Sequence, residues 1–317
     1  MVGEGSGRVG PVRFGYPYKA TFSIVAVDRE AGEVGCAVQS KYFAVGAVVP
    51  WAKAGVGAVA TQAAGVAAYG PAVLALLEQG VEPAEALTRS LADDDERETR
   101  QLGVVTFDGR AAAHTGSGCS DWAGHETGSG FAVQGNILAG PEVVSEMARA
   151  YRETVGTLAE RLVASLEAGQ AAGGDKRGQQ SAAVLVERVG ARNEGREGVD
   201  RVCDLRVDDH PEPIAELRRL LDIHLRWEVL RRASGHYGPG EYEEGIRILA
   251  DGLERLGEDA TILYDLACYE ALAGRRDDAL AHLRRSLELE PSYREMAAGD
   301  GDFAVLADDA EFTTLVA

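Results

Sequence analysis

The sequence predicts an α+β domain followed by a smaller all-α domain. Between about residues 21 and 207, short apolar segments form a run of strands, then helices, then strands, helices and strands again. Such segregated runs are typical of stacked layers rather than of alternating βαβ units. From Pro211 onward the apolar residues follow a helical spacing. The length of 317 residues also agrees with about two domains.

The first domain is predicted to begin with four strands. Residues 21–27 (TFSIVAV) and 34–40 (VGCAVQS) are apolar, and the DREAGE segment between them predicts a β-hairpin with a glycine-containing turn. Residues 45–49 and 56–61 are predicted as two further strands, separated by PWAKAG. The segment that ends at Gln62 is therefore one run of strands at about ten-residue spacing.

Two helices, and then further strands and helices, complete the domain. Residues 70–79 have a proline near their start and Gly80 just beyond their end, an asymmetry typical of a helix. Residues 82–91 place apolar side chains on one face, which predicts a second helix. Further strands are predicted at 102–107, 111–115, 131–138, 181–188 and 201–207, and further helices at about 141–154 and 156–169.

The C-terminal residues 235–317 are predicted to contain tetratricopeptide-like helical repeats. Within residues 260–293, apolar and small residues fall on the characteristic positions of a 34-residue unit. These residues are Leu263, Leu266, Ala267, Gly274, Ala279, Leu283 and Pro291. A degenerate copy precedes this unit, since Gly240 lies 34 residues before Gly274.

Composition and charge argue against several functional classes. The formal net charge is −19 and the pI is about 4.8. Such a chain repels phosphate backbones and anionic membranes, so we expect neither nucleic-acid nor membrane binding. The four cysteines form no CxxC pair, and Cys119 and His125 share one glycine-rich loop without a second ligand cluster. We therefore expect no metal and no cofactor.

The ends of the first domain carry two further segments. Residues 1–20 contain Gly, Pro and Arg but no apolar stretch, so they do not resemble a signal peptide, and we expect a flexible leader or a propeptide. The cytoplasm is then the expected location. Residues 208–234 form an amphipathic segment with a proline-rich entry, which predicts a linking or docking helix.

Four segments of the first domain resemble a known bacterial family. They are the stretch from TFSIVAV to AVATQ (21–62), RQLGVV (100–105), FAVQGNILAGP (131–141) and GGDKRGQQSAAVLV (173–186). Together they resemble the domain of unknown function 1028 over about residues 21–207. That family is grouped with the N-terminal-nucleophile (Ntn) hydrolases, which implies a four-layer αββα sandwich. A second resemblance links DDHPEPIAELRRLLDIH (208–224) to a segment described as peptidoglycan-binding.

The resemblance to Ntn hydrolases implies a nucleophile at the start of the first strand. Thr21 takes that place, and cleavage of the Ala20–Thr21 bond would free an amine that could act as the base for its hydroxyl. A β-branched residue at a strand start is equally explained by β-propensity. Lys41 is the candidate for tuning this amine, although it could simply be an exposed strand-end charge. Ser40 beside it could donate or accept a hydrogen bond within the site.

Polar residues at other strand ends complete the predicted site. Gln62 could orient the substrate or only cap a turn. Gln134 and Asn136 interrupt an apolar strand, and Asn136 is the predicted oxyanion donor, with a structural turn as the alternative. The glycine-rich loop before residue 182 could bind a polar substrate or be merely solvated. Its candidate residues are Asp175, Arg177, Gln180 and Ser181.

Two functional hypotheses follow from these residues. The first is an Ntn-type amidohydrolase that acts on a small amide or peptide, with Thr21, Lys41 and Asn136 as the catalytic residues. The second is a non-catalytic binding or scaffold protein, in which the helical repeats engage a protein partner. A homo-oligomer is expected in either case, because many members of the superfamily assemble.

Overall fold

The computed structural model describes residues 21–193 and 199–317, so the predicted leader (1–20) lies outside the described residues. The chain divides into two compact units between Arg218 and Arg219. The N-terminal unit contains antiparallel sheets and helices, and the C-terminal unit is helical. This mixed organisation agrees with the predicted α+β domain followed by an all-α region.

The N-terminal unit contains ten strands in two antiparallel sheets. The strands are β1 (Thr21–Asp28), β2 (Glu33–Ser40), β3 (Pro50–Lys53), β4 (Gly57–Ala63), β5 (Arg100–Thr106), β6 (Ala111–Thr115), β7 (Gly124–Gly128), β8 (Phe131–Asn136), β9 (Ser181–Arg188) and β10 (Arg201–Val207). One sheet has six strands in the order β10-β9-β2-β1-β8-β7. The other has four strands in the order β3-β4-β5-β6. Strand β1 therefore lies inside the larger sheet, with a neighbour on each side.

Helices cover the outer faces of both sheets. The helices are α1 (Tyr69–Glu78), α2 (Pro83–Leu91), α3 (Glu142–Glu153) and α4 (Leu158–Ala171). Helix α4 contacts β1 and β2, and α3 contacts β8 of the larger sheet. Helices α1 and α2 contact strands of the smaller sheet. The inner faces of the two sheets contact each other through β1, β2 and β8 on one side and β4 and β5 on the other.

Side chains between the two sheets, here called the inter-sheet layer, change character along β1. Successive residues of a strand point to opposite faces, so Thr21, Ser23, Val25 and Val27 share the inner face. The apolar end of the layer contains buried Val25, Val27, Val34, Cys36, Val38, Ala58, Ala60, Val105 and Ala132. The polar end contains buried Thr21, Ser23, Ser40, Gln62, Gln101, Gln134 and Asn136.

Two predicted features of the N-terminal unit are wrong. Residues 45–49 were expected to form a strand, but Val45–Ala47 form a 3₁₀ turn and β3 begins at Pro50. The backbone here finds partners outside a sheet, because the N–H of Val45 donates to Ser181 Oγ and that of Ala44 to the Asp208 carbonyl. The expected glycine-rich loop at 116–126 also contains the start of β7, an edge strand paired with β8.

The C-terminal unit consists of helices that pack on their neighbours along the chain. They are α5 (Pro213–Tyr237), which begins before the division, α6 (Tyr242–Leu256), α7 (Ala260–Leu272), α8 (Arg276–Leu289), α9 (Tyr293–Gly299) and α10 (Ala310–Val316). Helix α7 contacts both α6 and α8. Its first turn is capped by Asp259, whose carboxylate accepts hydrogen bonds from the N–H groups of Thr261 and Ile262. Among the described residues, no helix combines the length and apolarity needed to cross a membrane.

Candidate functional site

Three polar residues lie side by side where β1 begins. Thr21 pairs with Ser40 on β2 and with Asn136 on β8, and antiparallel partners present their side chains on the same face. The hydroxyl oxygens of Thr21 and Ser40 are 3.0 Å apart, which is hydrogen-bond distance. All three residues are buried. The sheet register alone therefore assembles these three predicted site residues.

Two glutamines of the smaller sheet face this row across the inter-sheet layer. Gln62 on β4 pairs with Gln101 on β5. The Nε2 of Gln62 donates to Gln101 Oε1 (2.8 Å) and lies 3.3 Å from both the Thr21 carbonyl and the Gln134 carbonyl. The amide of Gln62 thus links the backbone of Thr21 to the second sheet.

Further hydrogen bonds extend this contact into an uncharged network. The Nε2 of Gln134 donates to Ser23 Oγ, which donates to Gln62 Oε1, each over 2.6 Å. The Nδ2 of Asn136 donates to Gln101 Oε1 over 2.9 Å. Gln101 in turn donates to the Gly135 carbonyl over 2.8 Å. The network is not fully satisfied, because Gln134 Oε1 is buried without a hydrogen-bond partner among the described residues. Its contact with the Thr21 carbonyl, through Gln62 Nε2, still restrains the position of the Thr21 backbone.

A small cavity opens beside the Thr21 side chain. Its volume is about 70 Å³, several times the roughly 10–15 Å³ that one water molecule requires. The described residues that line it are Thr21, Ser40, Tyr42, Val45, Val48, Val49, Thr61, Gln62, Gly65 and Ala67. None of them is a carboxylate, histidine, lysine, arginine or cysteine. Hydroxyl and amide groups thus supply the polar side chains of the cavity.

Backbone donors are available at one side of the cavity. Within the described part of the chain, the N–H groups of residues 65–68 have no hydrogen-bond acceptor. These residues lead directly into α1, which begins at Tyr69. They therefore precede the N-terminus of this helix, an end that favours negative charge. Gly65 and Ala67 both line the cavity, so residues with unpaired N–H groups lie beside Thr21.

An ion-paired cluster anchors that backbone segment. Arg100 donates to the Ala64 carbonyl through Nη1 and to Asp94 Oδ2 through Nε, the latter over 2.8 Å. The Tyr69 hydroxyl donates to the same Asp94 carboxylate. The hydrogen bonds from Arg100 hold the pKa of Asp94 well below its ordinary value. A carboxylate that stays ionised thus holds Arg100 against the residue that precedes the cavity backbone.

Lys41 takes a different partner from the predicted one. Its Nζ donates to the Gln179 carbonyl over 3.0 Å, and the residue is exposed. Lys41 does not line the cavity beside Thr21. Its backbone N–H donates instead to the buried Asp175 carboxylate over 3.1 Å. The structure therefore brings the backbone of Lys41, but not its ammonium group, into the framework of the site.

The four predicted residues of the glycine-rich loop bind protein groups rather than line the cavity. Asp175 accepts hydrogen bonds from Arg177 and from the Lys41 backbone. Gln180 donates to Asp209 over 3.0 Å. Ser181 donates to the Tyr42 carbonyl and accepts from the Val45 N–H. Asp175 and Ser181 thus anchor the segment between β2 and β3, which supplies one wall of the cavity.

Several residues in or beside the cavity and its hydrogen-bond network were not predicted from the sequence. Ser23 lies two positions after Thr21 on the same strand face, so strand alternation could have found it. Gln101 lies in the apolar RQLGVV stretch, where a buried amide needs a partner. Gly65 and Tyr42 gave no sequence signal, because their place beside the cavity depends on the turns that follow β4 and β2.

Cys119, the thiol that the sequence places in one loop with His125, is half-buried. Burial raises the pKa of the Cys119 thiol, and its sulfur lies 3.4 Å from the Arg100 carbonyl. Among the described residues, one group of possible metal ligands converges, namely Cys268, Asp300 and Asp302 in the C-terminal unit. Burial raises the pKa of the Cys268 thiol, and Asp300 already accepts a hydrogen bond from Tyr264 over 2.9 Å.

Comparisons with known proteins agree with the extent of the N-terminal unit. The model of the Family of unknown function (DUF1028) matches residues 21–217. A crystal structure of a protein from Silicibacter pomeroyi, itself described as DUF1028, is similar with a TM-score of 0.57 and 33% sequence identity. The match covers 64% of this chain and 88% of that one. The comparison with curated proteins finds no match. On this evidence the chain belongs to the DUF1028 family.

Proposed function

We propose that the N-terminal unit is an Ntn-type amidohydrolase with Thr21 as its nucleophile. One observation carries the proposal: Thr21 begins an inner strand and lines a cavity whose described residues include no carboxylate or histidine to act as a base. A threonine hydroxyl needs a base to become nucleophilic. The α-amine of Thr21, once freed, is the group that can provide it.

The contacts between the layers support the same assignment. Helices cover the outer face of each sheet, and the inner faces of the sheets contact each other. We take this arrangement as the αββα sandwich of the Ntn hydrolases. The proposal requires removal of residues 1–20, which would expose the amine of Thr21 where β1 begins.

The chemistry would proceed by acyl transfer to Thr21. Its Oγ1 attacks the amide carbonyl as the hydroxyl proton moves to the free α-amine. Collapse of the tetrahedral intermediate breaks the C–N bond, and the leaving amine takes that proton. Water then attacks the ester carbonyl as one of its protons moves to the α-amine. The bond between Oγ1 and the acyl carbon breaks, the α-ammonium returns the proton to Oγ1, and a carboxylic acid is released.

The other predicted residues receive positioning roles in this proposal. The proposed oxyanion donor is the N–H of Gly65, a residue that the sequence did not predict but that lines the cavity. Asn136, the predicted donor, is not among the residues that line the cavity, and its Nδ2 donates to Gln101. Ser40 orients the Thr21 hydroxyl, and Gln62 holds the Thr21 backbone. The ammonium group of Lys41 would act on the amine only at a distance, because it already bonds to Gln179.

The test is whether Thr21 becomes terminal and reactive. Intact mass and N-terminal sequencing of the untagged protein should show loss of residues 1–20. Incubation with a p-nitrophenyl ester should then add one acyl group at Thr21. Thr21→Ala should abolish the adduct, whereas Thr88→Ala, which changes an exposed helical threonine, should retain it. A leader that stays attached, or an adduct that persists in Thr21→Ala, would favour the non-catalytic scaffold instead.

For the C-terminal unit we propose tetratricopeptide-like hairpins that bind a protein partner. Gly240 and Gly274 both adopt positive φ angles, 75° and 76°, two residues before α6 and α8 respectively. Leu249 and Leu283, which are 34 residues apart, are both fully buried. These matched positions support a repeat of that length. Self-association of the chain is a further proposal, to be tested by light scattering of the purified protein.

A further inference from the structure

The cavity beside Thr21 has two chemically different sides. One side presents the hydroxyls of Thr21 and Ser40 and the amide of Gln62. The segment between β2 and β3 also lines the cavity, through Tyr42, Val45, Val48 and Val49. The nucleophile therefore lies at the polar edge of an otherwise largely apolar cavity.

The apolar wall is held in place by several hydrogen bonds. Ser181 binds both the Tyr42 carbonyl and the Val45 N–H. The Ala44 N–H donates to the Asp208 carbonyl over 3.0 Å. The indole of Trp51 donates to the Val48 carbonyl over 3.2 Å. Since the backbone is fixed at three successive points, we expect the cavity volume to change little when a ligand enters.

Volume and charge then restrict what can enter. The cavity is partly open to solvent, so its volume limits the group held inside it and not the whole substrate. At about 70 Å³ it is less than half of the roughly 150 Å³ that accommodates a benzene ring. A charged group would be desolvated beside three valines, with no oppositely charged side chain among the described lining residues. A group of a few carbon atoms without charge fits both conditions.

We propose that this cavity selects amides whose acyl group is short, apolar and uncharged. The proposal rests on the amidohydrolase function above and names the substrate class of the same site. The acyl chain occupies the space beside Val45, Val48 and Val49. Its carbonyl carbon lies against Thr21 Oγ1, and the amine portion extends away from the valine wall.

The first experiment measures acylation of Thr21 by p-nitrophenyl acetate, butyrate, hexanoate and hemisuccinate, followed by intact mass. Acetate should react about tenfold faster than hexanoate or hemisuccinate, since each excess methylene or buried charge weakens binding. Val48→Ala should reduce the acetate-to-hexanoate ratio by about tenfold. Val34→Ala, a buried valine of the same layer that does not line the cavity, should leave the ratio unchanged. Equal rates for all four esters would overturn the proposal.

A second experiment does not depend on catalysis, so it separates failure of this proposal from failure of the enzymatic function. Acetamide and benzamide are added to the full chain, and methyl resonances of Val45, Val48 and Val49 are followed by NMR. Acetamide should shift these resonances and benzamide should not. If acetamide shifts the valine resonances but Thr21 forms no adduct in the first experiment, the cavity selectivity stands and the hydrolase function is rejected. Shifts with both ligands in the unmodified protein would reject the selectivity.

Discussion

The two ends of the inter-sheet layer stabilise the same pair of sheets in different ways. At the apolar end, valines and alanines exclude water, and each contributes through its buried area. At the polar end, glutamines, asparagine and serines are linked by directed hydrogen bonds. The polar end tolerates fewer substitutions, because removing one partner leaves others buried without a hydrogen bond. This sensitivity is expected where side chains must hold a reactive group in one orientation.

The largest effect on stability is expected from Gln101→Leu. The change removes the acceptor of Asn136 and Gln62 and the donor to the Gly135 carbonyl. Several buried polar groups would lose a partner, so the free energy of unfolding should fall by about 2–4 kcal/mol. Urea denaturation measures the loss. Gln79→Leu at an exposed helix end is the control and should change stability by less than about 0.5 kcal/mol.

A smaller loss is expected at the apolar end from Val25→Ala. Two buried methyl groups are removed, and the neighbours gain no unpaired polar atom, so the cost should be about 2 kcal/mol. Val155→Ala, at a side chain that is 96% exposed, should cost less than about 0.5 kcal/mol. If Val25→Ala destabilised the protein more than Gln101→Leu, the contrast between the two ends would have to be abandoned.

The smallest effect on stability is expected from the ion-paired cluster of Asp94 and Arg100, which anchors the polar end. The pKa of Asp94 is lowered from its ordinary 3.8 by hydrogen bonds from Arg100. The stabilisation is therefore complete above about pH 4 and is lost as pH falls from there toward the lower folded-state pKa. Between pH 5 and pH 2, the free energy of unfolding of the unmodified protein should fall by about 1–2 kcal/mol more than that of the Asp94→Asn variant. Asp93→Asn, at an exposed neighbour, should retain the wild-type pH dependence.

The sequence predicted more of the fold than of the site. Strand alternation and helix capping located most elements, including the strand that starts at Thr21. The prediction of a strand at 45–49 failed because the Val45 N–H binds Ser181, which is distant in sequence, and the N–H groups of Val48 and Val49 turn back to the Val45 carbonyl. Apolar periodicity carries no information about such tertiary acceptors.

Among the predicted site residues, those on strands and those in the glycine-rich loop had different outcomes. Residues on paired strands, such as Ser40 and Asn136, meet Thr21 because the register places them there. Asp175 and Ser181 were expected to bind substrate, but their hydrogen bonds hold the chain that forms the cavity wall. A polar residue in a loop has the same sequence signature in both roles, so only the fold could separate them.

The uncharged network around Thr21 has a consequence for how activity should depend on pH. Amides and aliphatic hydroxyls do not titrate between pH 5 and 9. The α-amine of a terminal Thr21, with an ordinary pKa of about 7.7–8.0, would then be the one group near the reacting atoms whose protonation changes in that range. The acylation rate should rise along a single limb to a plateau, without the descending limb that a second catalytic acid produces.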